Sequence, residues 1–280
     1  MLIDTHAHLN FQAFQNDADE IIRRCLDNDV WVVNVGSQLA TSRRTVELAE
    51  KYPQGVFAAI GLHPIHVTGH LMKNKLDPEE LIGQERLGEF NIEDYRKLAR
   101  SSQRVVAIGE IGLDYYYKPK TKARLEEFQS LQKKALGEQM GLAAELNRPI
   151  IFHCRSAHSD LIETLKSQPR HESGGVIHCF TGTVEQAKEY LGLGLYLGFT
   201  GIIFRQIPGI DWPEIIKAAP LEKTLVETDA PYLTPPRADR ERNEPVFVRF
   251  VVEEIAKIKG VSYEEVARIT TENARRLFKI

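Results

Sequence analysis

Two histidines, His6 and His8, stand two residues apart in "IDTHAH" at the start of the chain. Alternate side chains of an extended strand share a face, so both imidazoles would project the same way. Neutral imidazoles so placed make a metal-binding pair, although an HxH read alone is equally a half-buried pair of hydrogen-bonded histidines. Further along, Glu110 ends "VVAIGE", His153 falls in "PIIFHC", His178 in "GVIHC" and Asp229 in "TLVETD". Four histidines and two carboxylates exceed what one tetrahedral ion takes. They suit two divalent cations that share a carboxylate. Such a mixed N/O set accepts Zn, Mn, Co, Ni or Fe, whereas Mg prefers oxygen.

The elements that must position these groups are legible as apolar, β-branched runs at 2–6, 30–35, 56–60, 105–109, 149–153, 175–179, 195–199 and 224–228. Between them lie stretches of helical spacing, among them "DADEIIRRCLDN", "TSRRTVELAEKY" and "TVEQAKEYLG". Eight alternations of strand and helix predict a parallel (β/α)8 TIM barrel, and the candidate ligands then converge on its C-terminal rim, where barrel active sites are built. An open doubly wound sheet would carry a Gly-rich loop after its first strand, and none is present. No linker divides residues 1–280, which predicts a single domain. Residues 67–90, between the third and fourth strands, read as a surface insertion.

Of the 280 residues, 42% are hydrophobic and 27% charged. No run approaches the ~18 apolar residues of a membrane span, and no secretory leader is visible. Three cysteines make no disulfide framework and predict a reducing, cytoplasmic setting. The net charge of −3 attracts neither membrane nor nucleic acid overall, yet a local patch can reverse the field. "DYYYKPKTKAR" (114–124) is such a patch: Tyr115, Tyr116 and Tyr117 offer stacking surfaces, and Lys118, Lys120, Lys122 and Arg124 offer charges for phosphates. Arg237, Arg240 and Arg242 form a second basic loop, diluted by Asp239, Glu241 and Glu244.

The sequence resembles the TatD-type metal-dependent deoxyribonucleases, a branch of the amidohydrolase-like barrels, along its whole length. The resemblance is carried by "DTHAHL", "GLHP", "GEIGLDYY", "HCRSA", "HCFTG", "ETDAPYLTP", "RNEP" and "TTENARRLF" in that order. It implies one ion on His6, His8, Glu110 and Asp229, a second on Glu110, His153 and His178, and Glu110 as the bridge. Asp229 would handle the proton of a metal-activated water. The activity implied is hydrolysis of DNA phosphodiesters, exonucleolytic on single-stranded or frayed ends. An amide or ester hydrolase on the same binuclear site and a non-catalytic binding barrel are the alternatives.

Glu227 and Asp4 lie two residues before Asp229 and His6, and are expected to point below the ligands as their partners. Cys154 and Cys179 follow ligand histidines directly and are expected to face away from the site. His63 and Arg155 fall at the rim, in reach of a substrate phosphate. Where the family carries a second histidine after the Pro of "GLHP", this chain has Ile65, and His66 is the candidate in its place. Thr181 stands where Ser is usual.

Overall fold

All eight apolar runs form strands: β1 (Leu2–Ala7), β2 (Val30–Val35), β3 (Val56–Ile60), β4 (Val105–Asp114), β5 (Ile150–Arg155), β6 (Gly175–Ile177), β7 (Tyr196–Phe199) and β8 (Thr224–Val226). They make one sheet in chain order, every neighbouring pair parallel. The sheet closes on itself at the level of the first ligands. Asp229 N–H donates to His6 O and His8 N–H to Ala230 O, each at 2.8 Å. This is a (β/α)8 barrel. The computed structural model describes residues 1–69, 71, 78–80, 90–168 and 171–280.

Helices fill the connections: α1 (Ala18–Asp27), α2 (Leu39–Glu50), α3 (Pro64–Val67), α4 (Ile92–Ser101), α5 (Lys122–Glu145), α6 (His158–Ser167), α7 (Val184–Gly192), α8 (Trp212–Ala218), α9 (Val248–Lys259) and α10 (Tyr263–Phe278). With helices outside and side chains within, both faces of the sheet are buried, which is why the strands read as continuous apolar runs. Inside, each strand contributes to one cluster that includes Ile3, Val33, Phe57, Val106, Ile151, Val176, Tyr196 and Leu225. Ala274, Leu277 and Phe278 of α10 belong to the same cluster, so the C-terminal helix packs against the interior. None of the described helices is long and apolar enough to cross a membrane. Much of the expected insertion at 67–90 lies outside the described residues.

Two strands depart from regular pairing where the candidate ligands sit. One extra residue enters β1 between Asp4 and Ala7, and another enters β4 between Gly109 and Ile111, where Glu110 is the unpaired residue. A bulge re-aims side chains that a regular pleat would turn elsewhere. Glu110 therefore does not end its strand, as its run suggested; β4 continues to Asp114. That continuation needs Gly112, which has φ +155° and whose added Cβ would meet His153 O at 2.0 Å. Only glycine lets β4 approach β5 so closely at the level of His153. Gly112→Ala is therefore expected to lower stability by about 3 kcal/mol, read from urea unfolding; an unchanged midpoint would contradict the close approach.

Candidate metal centre

Five imidazoles surround the Glu110 carboxylate. Its Oε2 lies 3.4 Å from His6 Nε2 and 4.0 Å from His8 Nε2. Its Oε1 lies 2.6 Å from His153 Nδ1, 3.8 Å from His178 Nε2 and 3.9 Å from His63 Nε2. One oxygen faces one pair of rings and the other faces the remaining three. Asp229 sits opposite, its Oδ1 at 3.3 Å from His8, 3.5 Å from His178 and 3.8 Å from His6. Six side chains carried by five strands or the residues just after them are thus gathered into one largely buried cluster.

Hydrogen bonds fix which nitrogen of the His8, His178 and His153 rings looks inward. His8 Nδ1 lies 2.9 Å from Val35 O, so it must carry the hydrogen and leave a lone pair on Nε2. His178 Nδ1 lies 2.8 Å from Glu227 Oε2, which leaves Nε2 toward the centre in the same way. Glu227 also accepts from Thr5 and from Cys179 N–H. This is the arrangement in which a carboxylate orients a metal-ligating histidine. Gly198 makes room for it, because an added Cβ would fall 2.4 Å from Glu227 Oε1. His153 has the same kind of buttress in Asp114, whose Oδ2 is 3.1 Å from Nε2. Asp114 was not singled out from the sequence; its place four residues after Glu110 in "GEIGLD" was the only signal.

The donor set fits divalent cations. His6 and His8 bring their Nε2 atoms to 3.2 Å, while His6 Nδ1 is buried without a hydrogen-bond partner among the described residues. Two imidazole nitrogens converging on one point is a poor arrangement without a proton or a cation between them. Burial and the neighbouring His178 lower His6 to about 4, so a cation is the better occupant. Burial alone would raise Glu110, but His153, His6 and His178 hold it well below the usual carboxylate range. Burial opposes charge on His178 and His153, yet the facing carboxylates raise them to about 9 and about 10.

Other expected site residues fall differently. Asp4 accepts from Thr228 N–H at 2.9 Å, from the Thr228 hydroxyl and from His6 N–H, so it ties β1 to the end of β8 and touches no ligand ring. The bulge after Asp4 breaks the alternation that placed it under His6. Cys179 lies beside the centre rather than facing away: its Sγ, His178 and Asp229 have donor atoms within 4.8 Å of one another. Strand β6 stops at Ile177, and Cys179 sits in a turn at φ +44°, where strand alternation no longer applies. Cys154 is buried against Tyr190, as a packing residue should be. His66 is buried with Nε2 2.7 Å from Glu80, and so is turned to that partner.

On the rim, the Arg155 guanidinium lies 3.6 Å over the Tyr116 ring, and the Tyr117 ring stands edge-on to Tyr116 at 4.7 Å. Both tyrosines are open, 53% and 59% exposed. Tyr115 is not part of this surface. Its ring packs by Phe128 and its hydroxyl bonds Asp160 at 3.0 Å. Lys118 and Lys120 are exposed. Arg237, by contrast, is paired with Glu253, Arg242 with Asp17 and Arg240 with Glu244, so the second basic loop is largely neutralised within the protein.

A family model described as TatD related DNase matches residues 3–279. The chain belongs to that family. It is 38% identical over 282 residues to the uncharacterized metal-dependent hydrolase YabD of Bacillus subtilis (strain 168), each chain covered in full. It is 32% identical, again over the full length of both, to the 3'-5' ssDNA/RNA exonuclease TatD of Pantoea vagans (strain C9-1). Among solved structures it is similar to YjjV, a TatD homolog from Escherichia coli K12, with a TM-score of 0.80 and 28% identity over 100% of this chain and 98% of that one. Membership makes the chain a metal-dependent hydrolase, as the donor set suggests.

Cation uptake must displace protons here. His178 and His153, raised to about 9 and about 10, hold protons at neutral pH on nitrogens that face the centre. A raised value means that protons compete below it, so Mn affinity is expected to strengthen as pH rises from about 6.5 toward 9. Calorimetric titration with Mn in buffers of different ionisation enthalpy should report net proton release at pH 7. Affinity independent of pH, with no proton released, would contradict the assignment of these two rings.

Proposed function

We propose that the chain is a binuclear metal phosphodiesterase that removes nucleotides from single-stranded or frayed DNA ends. The observation that carries this reading is the division of the Glu110 oxygens between two sets of imidazoles beneath an aromatic, cationic rim. His6, His8, Asp229 and Glu110 Oε2 would hold one cation, and Glu110 Oε1, His153 and His178 the other. Divalent ions such as Mg, Mn or Zn supply, when bound, Lewis-acid charge for a phosphoryl oxygen and a lowered pKa for water.

The chain's own groups do the rest. Asp229, whose partly exposed carboxylate faces His6, His8 and His178, is placed to take the proton of the attacking water on a carboxylate oxygen. Glu227 and Asp114 keep His178 and His153 in register. Arg155 is a charge for phosphate already oriented by Tyr116, and Tyr116 and Tyr117 offer faces on which a terminal base stacks. Exonuclease names among full-length relatives support a single-stranded substrate. The free thiols of Cys25, Cys154 and Cys179 support a reducing, cytoplasmic setting.

The test is one screen of Mn-loaded and chelated protein against single-stranded DNA, double-stranded DNA, RNA, bis(p-nitrophenyl) phosphate and simple esters and amides. Cleavage of single-stranded DNA, lost on chelation and restored by Mn, is expected. Arg155→Ala and Tyr116→Ala should each raise the KM for single-stranded DNA about tenfold, from ~1–3 kcal/mol of stacking and charge contact, and raise that for the small diester less. Hydrolysis confined to esters or amides would overturn the phosphodiesterase reading.

A further inference from the structure

His63, which follows β3 in "GLHP", has its ring turned the opposite way from the others. Its Nδ1 accepts the backbone N–H of Ile65 at 3.1 Å. A backbone amide can only donate, so Nδ1 carries a lone pair and the ring hydrogen sits on Nε2. That Nε2 looks into the centre, 3.9 Å from Glu110 Oε1, with the ring edge-on to His153 at a centroid distance of 4.2 Å. His8, His178 and His153 send hydrogens outward to Val35, Glu227 and Asp114 and present their other nitrogen inward. His63 sends its lone pair outward and its hydrogen inward.

Composition alone would make His63, Asp114 and His153 a third cation site, since their donor atoms lie within 4.8 Å of one another. The Ile65 bond excludes His63 from it. Nε2 could coordinate an ion only if the hydrogen moved to Nδ1, and that would set two N–H groups against each other. The backbone around His63 is also fixed in place. Its N–H donates to Ser37 O at 2.7 Å, and both backbone groups of Leu62 are held by the Gln139 side chain of α5, at 2.7 and 3.1 Å.

We propose that His63 is a catalytic hydrogen-bond donor, a neutral imidazole whose fixed Nε2–H binds a non-bridging oxygen of the scissile phosphate and tightens as charge gathers there. The inference rests on the phosphodiesterase reading. No proton changes hands, so the ring leaves the reaction in the tautomer in which it entered. A donor fixed in advance in a water-poor site stabilises developing charge without reorganising, and removal of one such donor costs about 10²-fold in kcat.

Two substitutions separate this role from a structural or metal-binding one. His63→Asn keeps an acceptor near the Nδ1 position for Ile65 but has no group that reaches the Nε2 position. Its kcat on single-stranded DNA should fall about 10²-fold, with KM within a few-fold and with Mn stoichiometry and affinity by equilibrium dialysis unchanged. His63→Gln, whose amide N–H reaches toward the Nε2 position, should recover part of that loss. Long-range 1H–15N spectra of Zn-loaded protein should show a pyridine-like Nδ1 and a pyrrole-like Nε2 at His63. A pyridine-like Nε2, or weaker Mn binding by His63→Asn, would make His63 a ligand and overturn the inference. Full kcat in His63→Asn would overturn it alone, whereas a wild-type protein inactive on every phosphodiester would overturn the phosphodiesterase reading with it.

Discussion

A carboxylate buried at the end of a barrel, with imidazoles on every side, sets the terms for the rest of the molecule. An ion of that size loses most of its hydration in such a place, and only opposite charge or well-placed donors can offset the loss. Among the described residues, Glu110 has no lysine or arginine paired with it, only His6, His8, His63, His153 and His178. Its charge is offset by what those rings can hold, protons or divalent cations. The split of its two oxygens between ring sets divides the pocket into two halves.

Holding that arrangement requires departures from a regular barrel. A pleated strand shows alternate residues to the interior, yet the extra residues in β1 and β4 reset that alternation at the height of His6 and Glu110. Gly112 and Gly198 accept the crowding that follows, one against His153 O and one against Glu227. Asp114 serves two levels at once, because its Oδ2 faces His153 while its Oδ1 accepts Tyr116 N–H at 2.9 Å. The aromatic rim and the second half of the centre are therefore hung from the same side chain. In the proposed reading, a base stacked on Tyr116 would be placed relative to His153 through this one residue.

The barrel was legible because its strands are buried on both faces and leave uninterrupted apolar runs, and the clustering of the histidines and carboxylates was legible because each stands at or just past the end of such a run. What alternation could not supply was orientation. Asp4 read as a partner below His6, and the β1 bulge turned it into a tie to Thr228. Cys179 read as facing away, and a left-handed turn after β6 brought it beside His178. Tyr115 shared a tyrosine triplet with Tyr116 and Tyr117, but only packing against Phe128 and a bond to Asp160 decide that it is buried. Asp114 and the inverted His63 ring depend on hydrogen bonds to a strand neighbour and to a backbone amide, neither of which has a spacing to read.

Anomalous diffraction from crystals soaked in Mn tests the central claim most directly. Two peaks are expected on either side of the Glu110 carboxylate, one within coordination distance of His6, His8 and Asp229, the other of His153 and His178, with none at His63 Nε2. A single peak, or two peaks that leave either Glu110 oxygen uncoordinated, would contradict the bridging role of this residue and the two-cation reading built on it.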